Sequence, residues 1–156
     1  MADENRSAGL ALTLFFGFIA GYLATLIFHQ LALALMWSMD FAPYKPFSTT
    51  PTRPFGIPAV VSLAFWGGLW GMLLALILVR ISSGKRYWLT AVLFGAVCPS
   101  LVALFVVLPM KGQPMGGGWH MRIFIMAFII NGAWGLGVGL FYKLFTALTA
   151  RSTARA

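Results

Sequence analysis

Four long apolar runs organise the chain. They cover residues 8–37, 58–79, 87–110 and 121–146, and polar segments rich in proline, glycine or basic residues separate them. About 20 consecutive apolar residues cross the hydrocarbon core of a bilayer. Each run therefore predicts a membrane-spanning helix, and the first has length to spare for tilt or protrusion. Arg6 precedes that first run, as a basic residue precedes a signal peptide, but the run is too long for a cleavable apolar segment. It reads as an uncleaved signal anchor.

The separators are informative in their own right. Between Ser38 and Ile57 lie Pro43, Pro46, Pro51 and Pro54, four prolines in twelve residues, which argues against a helix there. Pro58 suits the first residue of the second helix. Arg80 to Arg86 is a tight basic turn around Gly84, and Lys111 to His120 is a connection containing Pro114 and Gly116-Gly117-Gly118. Pro99 near the middle of the third run predicts a kink. The basic end, residues 151–156, predicts a flexible tail. The predicted architecture is all-α: one four-helix transmembrane domain over residues 1–150, with that tail behind it.

Composition supports the same medium. Only 9% of the 156 residues are charged, against roughly 25% in an average soluble domain, so the outer surface has to meet lipid or apolar protein. The net charge of +8 would suggest nucleic acid in a soluble protein. Here the basic residues fall between and beyond apolar runs, which is the pattern of topology signals and lipid contact, and no nucleic-acid partner is expected. With the amino terminus in the cytoplasm, Arg6, Arg80, Lys85, Arg86, Lys143, Arg151 and Arg155 lie inside, against Lys45, Arg53, Lys111 and Arg122 outside. This asymmetry predicts a multi-pass protein of the bacterial inner membrane with both termini cytoplasmic. Trp37, Tyr87, Trp88, Trp119 and Tyr142 fall near the run ends, where an aromatic belt belongs.

The runs also look duplicated. Phe16-Gly17-Phe18-Ile19 resembles Phe94-Gly95-Ala96-Val97, and Gly68-Leu69-Trp70-Gly71 resembles Gly132-Ala133-Trp134-Gly135. Each half then reads as helix, outer loop, helix, and two such hairpins share one topology about an axis along the membrane normal. Gly17 and Gly21, Gly67 and Gly71, and Gly135 and Gly139 are spaced four apart. Each pair makes a smooth helix face where another backbone can approach, with Trp70 and Trp134 beside it as wedges. Such faces serve either packing inside the bundle or docking of a partner.

Leu108-Pro109-Met110-Lys111-Gly112, followed by Asn131-Gly132-Ala133-Trp134-Gly135-Leu136-Gly137, resembles the pattern in YagU-like small bacterial inner-membrane proteins. The likeness covers about a third of the chain. It implies a helical inner-membrane protein of unassigned function, and it carries over no catalytic residue.

Polar residues inside a span are the default candidates for function. No Asp, Glu, Lys or Arg lies deep in a run, and Lys143 and Arg122 stand near ends where they can snorkel. The candidates are His29, Gln30, Asn131, Thr25, Ser62 and Ser100. At 1.5 Å per residue, His29 and Asn131 lie about 12 and 13 Å from the outer end. They could hydrogen-bond if the first and fourth helices are neighbours. Their readings are a packing bond, the lining of a solute or ion path, and, for His29, a haem or metal ligand. His120 sits at a different depth, which argues against two-histidine haem ligation in one subunit. No cofactor and no metal site are predicted: Cys98 is the single cysteine, and zinc-ligand spacing is absent. Gly116-Gly117-Gly118 lacks the lysine and strand of a phosphate loop. Asp40, Tyr44, Lys45, Arg53, Lys111, Trp119, His120 and Arg122 form an outer rim. No nucleophile, base and orienter can be assembled.

The expected role is non-catalytic. It is that of a small accessory or structural subunit that meets membrane lipids and packs against an integral-membrane partner or another copy of itself. The alternatives are an oligomeric transporter or channel and a haem- or quinone-binding electron carrier.

Overall fold

The computed structural model describes residues 2–81 and 83–153, with side chains described for 7–81 and 83–150. Helix α1 (Ala2–Ala24) passes through a π turn (Thr25–His29) into α2 (Gln30–Ser38), and these three make the first span. Helix α3 (Ala59–Leu78) is the second. Helix α4 (Lys85–Val102), a π turn (Ala103–Val107) and α5 (Leu108–Met110) make the third. Helix α6 (Met121–Thr153) is the fourth. All four are long and apolar enough to cross a membrane.

The boundaries differ from the expected ones mainly at the ends. The first helix starts at Ala2, and the fourth runs on to Thr153. Residues 151–153 of the expected tail are therefore helical; 154–156 lie outside the described residues. Pro58 caps α3 from outside the helix. It belongs to a two-residue antiparallel ladder, β1 (Pro51–Thr52) against β2 (Ile57–Pro58), a small addition to the all-α expectation. A proline offers no side-chain cap. The loop supplies acceptors instead: Ala59 N–H donates to the Thr50 carbonyl and Val60 N–H to the Ser48 carbonyl, meeting part of the first-turn requirement. Helix α4 continues through Pro99, and the π register begins one turn later, at Ala103.

Successive spans are antiparallel. One end of the bundle carries the start of α1, the turn around Gly84 and the end of α6. The other carries the two longer connections. They are called here the tail end and the loop end. Helix α1 packs between α3 and α6, and α6 packs between α1 and α4; α3 and α4 meet much less, with Trp70 edge-on to Phe94 across that side at 6.0 Å. The main core draws on all four spans: Ala20 and Ala24, Leu74 and Leu78, Tyr87 and Ala91, Trp134 and Val138. A second, smaller core lies toward the loop end between the first and fourth spans, where Leu33, Met126 and Ile130 close over Ala42 of the loop.

Two helix pairs have backbone-to-backbone proximity. A Cβ on Gly21 would fall on the Gly67 carbonyl, and one on Gly71 would fall on the Gly17 carbonyl. In α4 and α6, a Cβ on Gly135 would fall on the Ala91 carbonyl, and one on Gly95 would lie 2.5 Å from the Asn131 carbonyl. The two contacts match residue for residue: Gly17, Gly21, Gly67, Gly71 and Ala75 occupy the places of Ala91, Gly95, Asn131, Gly135 and Gly139. The sequence likeness sets Gly17 against Gly95, whereas the contacts set Gly21 there, one helical turn further on. The π turns at Thr25–His29 and Ala103–Val107 keep the spacing of the sequence likeness. The packing register and the helix register have thus moved apart by a turn between the two pairs.

Outside the cores the surface is as apolar as the interior. Leu89, Leu93, Val97 and Leu101 form an exposed stripe on the third span, and Ile125, Ile129, Leu136, Leu140, Leu144 and Leu148 form another on the fourth. A soluble helix would put charge at such positions. Here the outward rows of α4 and α6 are aliphatic, and α3 adds exposed Phe65 and Trp66.

Candidate functional site

Besides the Tyr87 hydroxyl, the polar side chains inside the bundle fall into three small groups, and each group is hydrogen-bonded within itself. The first joins the third and fourth spans. Asn131 Nδ2 donates to Ser100 Oγ at 3.0 Å, and Ser100 Oγ donates to the Ala127 carbonyl at 3.0 Å. Ser100 is fully buried. Asn131 belongs to the i, i+4 row that continues through Gly135 and Gly139, so it faces α4, not the first span.

The second group is at the loop end of the first span. Gln30 is 3% exposed. Its Oε1 accepts the Phe47 N–H at 2.6 Å, and its Nε2 lies 3.4 Å from His29 Nδ1. The loop is held a second time by Arg122, whose Nε donates to the Phe41 carbonyl at 2.6 Å and whose guanidinium stands 5.2 Å from the Phe41 ring centre. Gln30 and Arg122 thereby fold the residue 39–50 segment back over the ends of the first and fourth spans.

The third group is central. Trp134 is 2% exposed, and its indole N–H donates to the Gly21 carbonyl at 3.1 Å. Thr25 Oγ1 donates to that same carbonyl at 2.9 Å. Gly67 lies directly against the Thr25 hydroxyl. Gly21 is therefore a junction of three spans: its Cα side meets α3 and its carbonyl meets α6.

The structure thus does not pair His29 with Asn131. Their depths are alike, but depth is only one coordinate; the azimuth around each helix turns Asn131 to Ser100 and His29 to Gln30. Ser62 is half-buried on α3, near the loop end, and joins none of these groups. Trp70 is half-buried against Phe94. Gly139 accepts, through its carbonyl, the Tyr87 hydroxyl at 2.8 Å, a bond between the third and fourth spans that sequence reasoning missed. The loop contacts of Gln30 and Arg122 were also missed, because nothing in a residue's type announces a bond to a distant backbone group. His120 lies in the second connection, against Gly118. Among the described residues, no set of three or more His, Cys, Asp or Glu side chains could hold a metal ion. The second connection reverses through Gly116, Gly117, Gly118 and Trp119, all with φ between 60° and 69°. That left-handed turn explains the glycine triplet, since residues with a Cβ resist it.

Comparison with known protein families, curated proteins and solved structures gives no match.

Two outcomes follow from these groups. Asn131→Ala and Ser100→Ala should each lower stability, and a double-mutant cycle by unfolding in detergent should give a coupling of about 0.6 to 2 kcal/mol, the range for interhelical hydrogen bonds in membranes. A coupling of zero would mean that the two side chains do not meet. Gln30→Leu removes the acceptor for Phe47 N–H, so limited proteolysis in the residue 39–50 segment should accelerate severalfold while the bundle's helical signal is kept.

Proposed function

We propose that the chain is a small multi-pass protein of the bacterial inner membrane, built from two duplicated helical hairpins with both termini in the cytoplasm. Its role is that of a non-catalytic accessory or structural subunit of a larger membrane assembly. The observation that carries this reading is the division of the molecule into a self-satisfied interior and an open apolar exterior. The polar side chains inside are spent on one another and on backbone carbonyls, and the glycine faces are spent on contacts between its own helices. Long aliphatic stripes remain outside. A partner would then be met by these outward stripes and the loop end, since Gly17, Gly21, Gly67, Gly71, Gly135 and Gly139 are covered.

Matching contacts in the two hairpins support duplication. The four-residue change of register is what two copies acquire when their packing diverges while their helices stay in place. Kinship with YagU-like proteins would be compatible with this architecture and would add no activity to it. The transporter or channel reading needs His29 and Asn131 to share a path; Asn131 is bonded across to Ser100 of the third span, and His29 meets Gln30, its neighbour in the first.

The test is crosslinking in native membranes followed by purification in mild detergent. A defined integral-membrane partner, recovered in fixed ratio, is the expected result. Recovery of the lone chain after crosslinking would reject the accessory role.

A further inference from the structure

The tail end of α4 and α6 brings together features that the bundle's own packing leaves unused. Lys143 on α6 extends its ammonium over two rings of α4, 5.8 Å from the centre of Tyr87 and 5.6 Å from that of Trp88. Those rings form an edge-to-face pair with centres 5.3 Å apart. Tyr87 is buried and tied to the Gly139 carbonyl, which fixes the pair against α6. Lys85 and Arg86 immediately precede these rings, and Lys85, Arg86 and Lys143 are all exposed.

Among the residues whose side chains are described, Asp40 carries the one carboxylate. Asp40 is in the loop-end connection, at the other end of the bundle. Among the described residues, none of the three cations has a carboxylate partner. An ammonium held over ring faces keeps its N–H donors available to an anion. Tyr and Trp rings favour the headgroup level of a bilayer, and basic residues near that level favour anionic lipid.

We propose that Lys85, Arg86 and Lys143, beside the Tyr87–Trp88 pair, bind the phosphate of an anionic phospholipid headgroup. The acyl chains would then run along the aliphatic stripe of α4, at Leu89 and Leu93. The assignment rests on the membrane reading above, with the tail end on the cytoplasmic side.

The test is native mass spectrometry of the full chain in neutral detergent, titrated with phosphatidylglycerol or with phosphatidylcholine of the same acyl chains. The wild-type protein should retain phosphatidylglycerol preferentially. Each cation near a surface is worth about fivefold in affinity for anionic lipid, so the Lys85→Gln/Arg86→Gln/Lys143→Gln variant should lose most of that preference. Lys45→Gln/Arg53→Gln/Lys111→Gln, which removes the same charge from the loop end, should keep it. Equal retention of the two lipids by the wild type would overturn the proposal. So would an equal loss in the two variants, or full displacement by millimolar inorganic phosphate, which would assign the cations to a free anion. Alkaline extraction of membranes is run alongside. Release of the wild-type chain would reject the membrane reading itself, whereas retention with no lipid preference rejects only the headgroup site.

Discussion

Gly71→Ala should destabilise the bundle by about 3 kcal/mol, toward the upper end of overpacking costs, although it adds a single methyl group. The Cβ would fall on the Gly17 carbonyl and lie within 2.9 Å of Gly21 Cα and N. All of these are backbone atoms of a facing helix, so no flexible side chain can swing aside, and α1 and α3 must separate. Separation would also weaken the Trp134 bond to the Gly21 carbonyl, because that carbonyl moves with α1. Against this stands the gain in helix propensity from Gly to Ala, about 1 kcal/mol in a helix interior. The clash outweighs that gain. Gly9→Ala isolates the propensity: nothing lies within 4 Å of the added methyl, so this variant should unfold at the same temperature as the wild type or slightly higher. The measurement is the thermal midpoint of detergent-purified protein by circular dichroism. Equal midpoints for Gly71→Ala and Gly9→Ala would show that the first two spans do not approach as closely as described.

Trp134→Ala should cost about 3 kcal/mol, at the lower end of the range for emptying a large aromatic site. The lower end applies because side chains in a bilayer gain little from leaving lipid, so the loss is mainly of packing contacts and of one hydrogen bond. Trp134→Phe separates these parts. It keeps most of the ring volume and deletes the N–H to Gly21, and should cost about 0.6 to 1.7 kcal/mol, the span of interhelical bonds measured in membranes. Trp66 is the comparison. It lies on α3 with 59% of its surface exposed, and Trp66→Ala should leave stability nearly unchanged. The order Trp134→Ala, Trp134→Phe, Trp66→Ala in unfolding free energy checks whether the fourth span is locked to the first at this point. A large effect at Trp66 and none at Trp134 would reverse the assignment of inside and outside.

The number of apolar helices and their order were legible because both depend on long uninterrupted apolar runs. The loops were legible through proline and glycine. Helix ends were less so: the apolar pattern thins after Leu148 and residues 151–153 are polar, yet α6 continues there, since Arg, Ser and Thr can extend a helix already nucleated. The spacing of Gly17 with Gly21 and Gly67 with Gly71 made smooth faces visible, but could not say which smooth face meets which.

The pairing of His29 with Asn131 failed for a definable reason. Counting residues from the span ends fixes depth and leaves rotation free. Rotation was available for Asn131, which continues the row of Gly135 and Gly139. For His29 it was not: it closes the π turn at Thr25–His29, and the wider i→i+5 turn changes the direction of every side chain after it. No residue type announces such a turn. The contact register was also hidden: the strongest sequence likeness follows the helices, and the packing follows the small residues one turn away.

The central claim is that this bundle crosses a bilayer with its tail end and loop end on opposite sides. In a Cys98→Ala background, single cysteines at Ser83 in the tail-end turn and at Thr49 in the loop-end connection probe the two sides with a membrane-impermeant maleimide. In intact cells the reagent should label Thr49→Cys and spare Ser83→Cys until the membrane is opened. Labelling of both positions before permeabilisation, or of Ser83→Cys alone, would contradict the account.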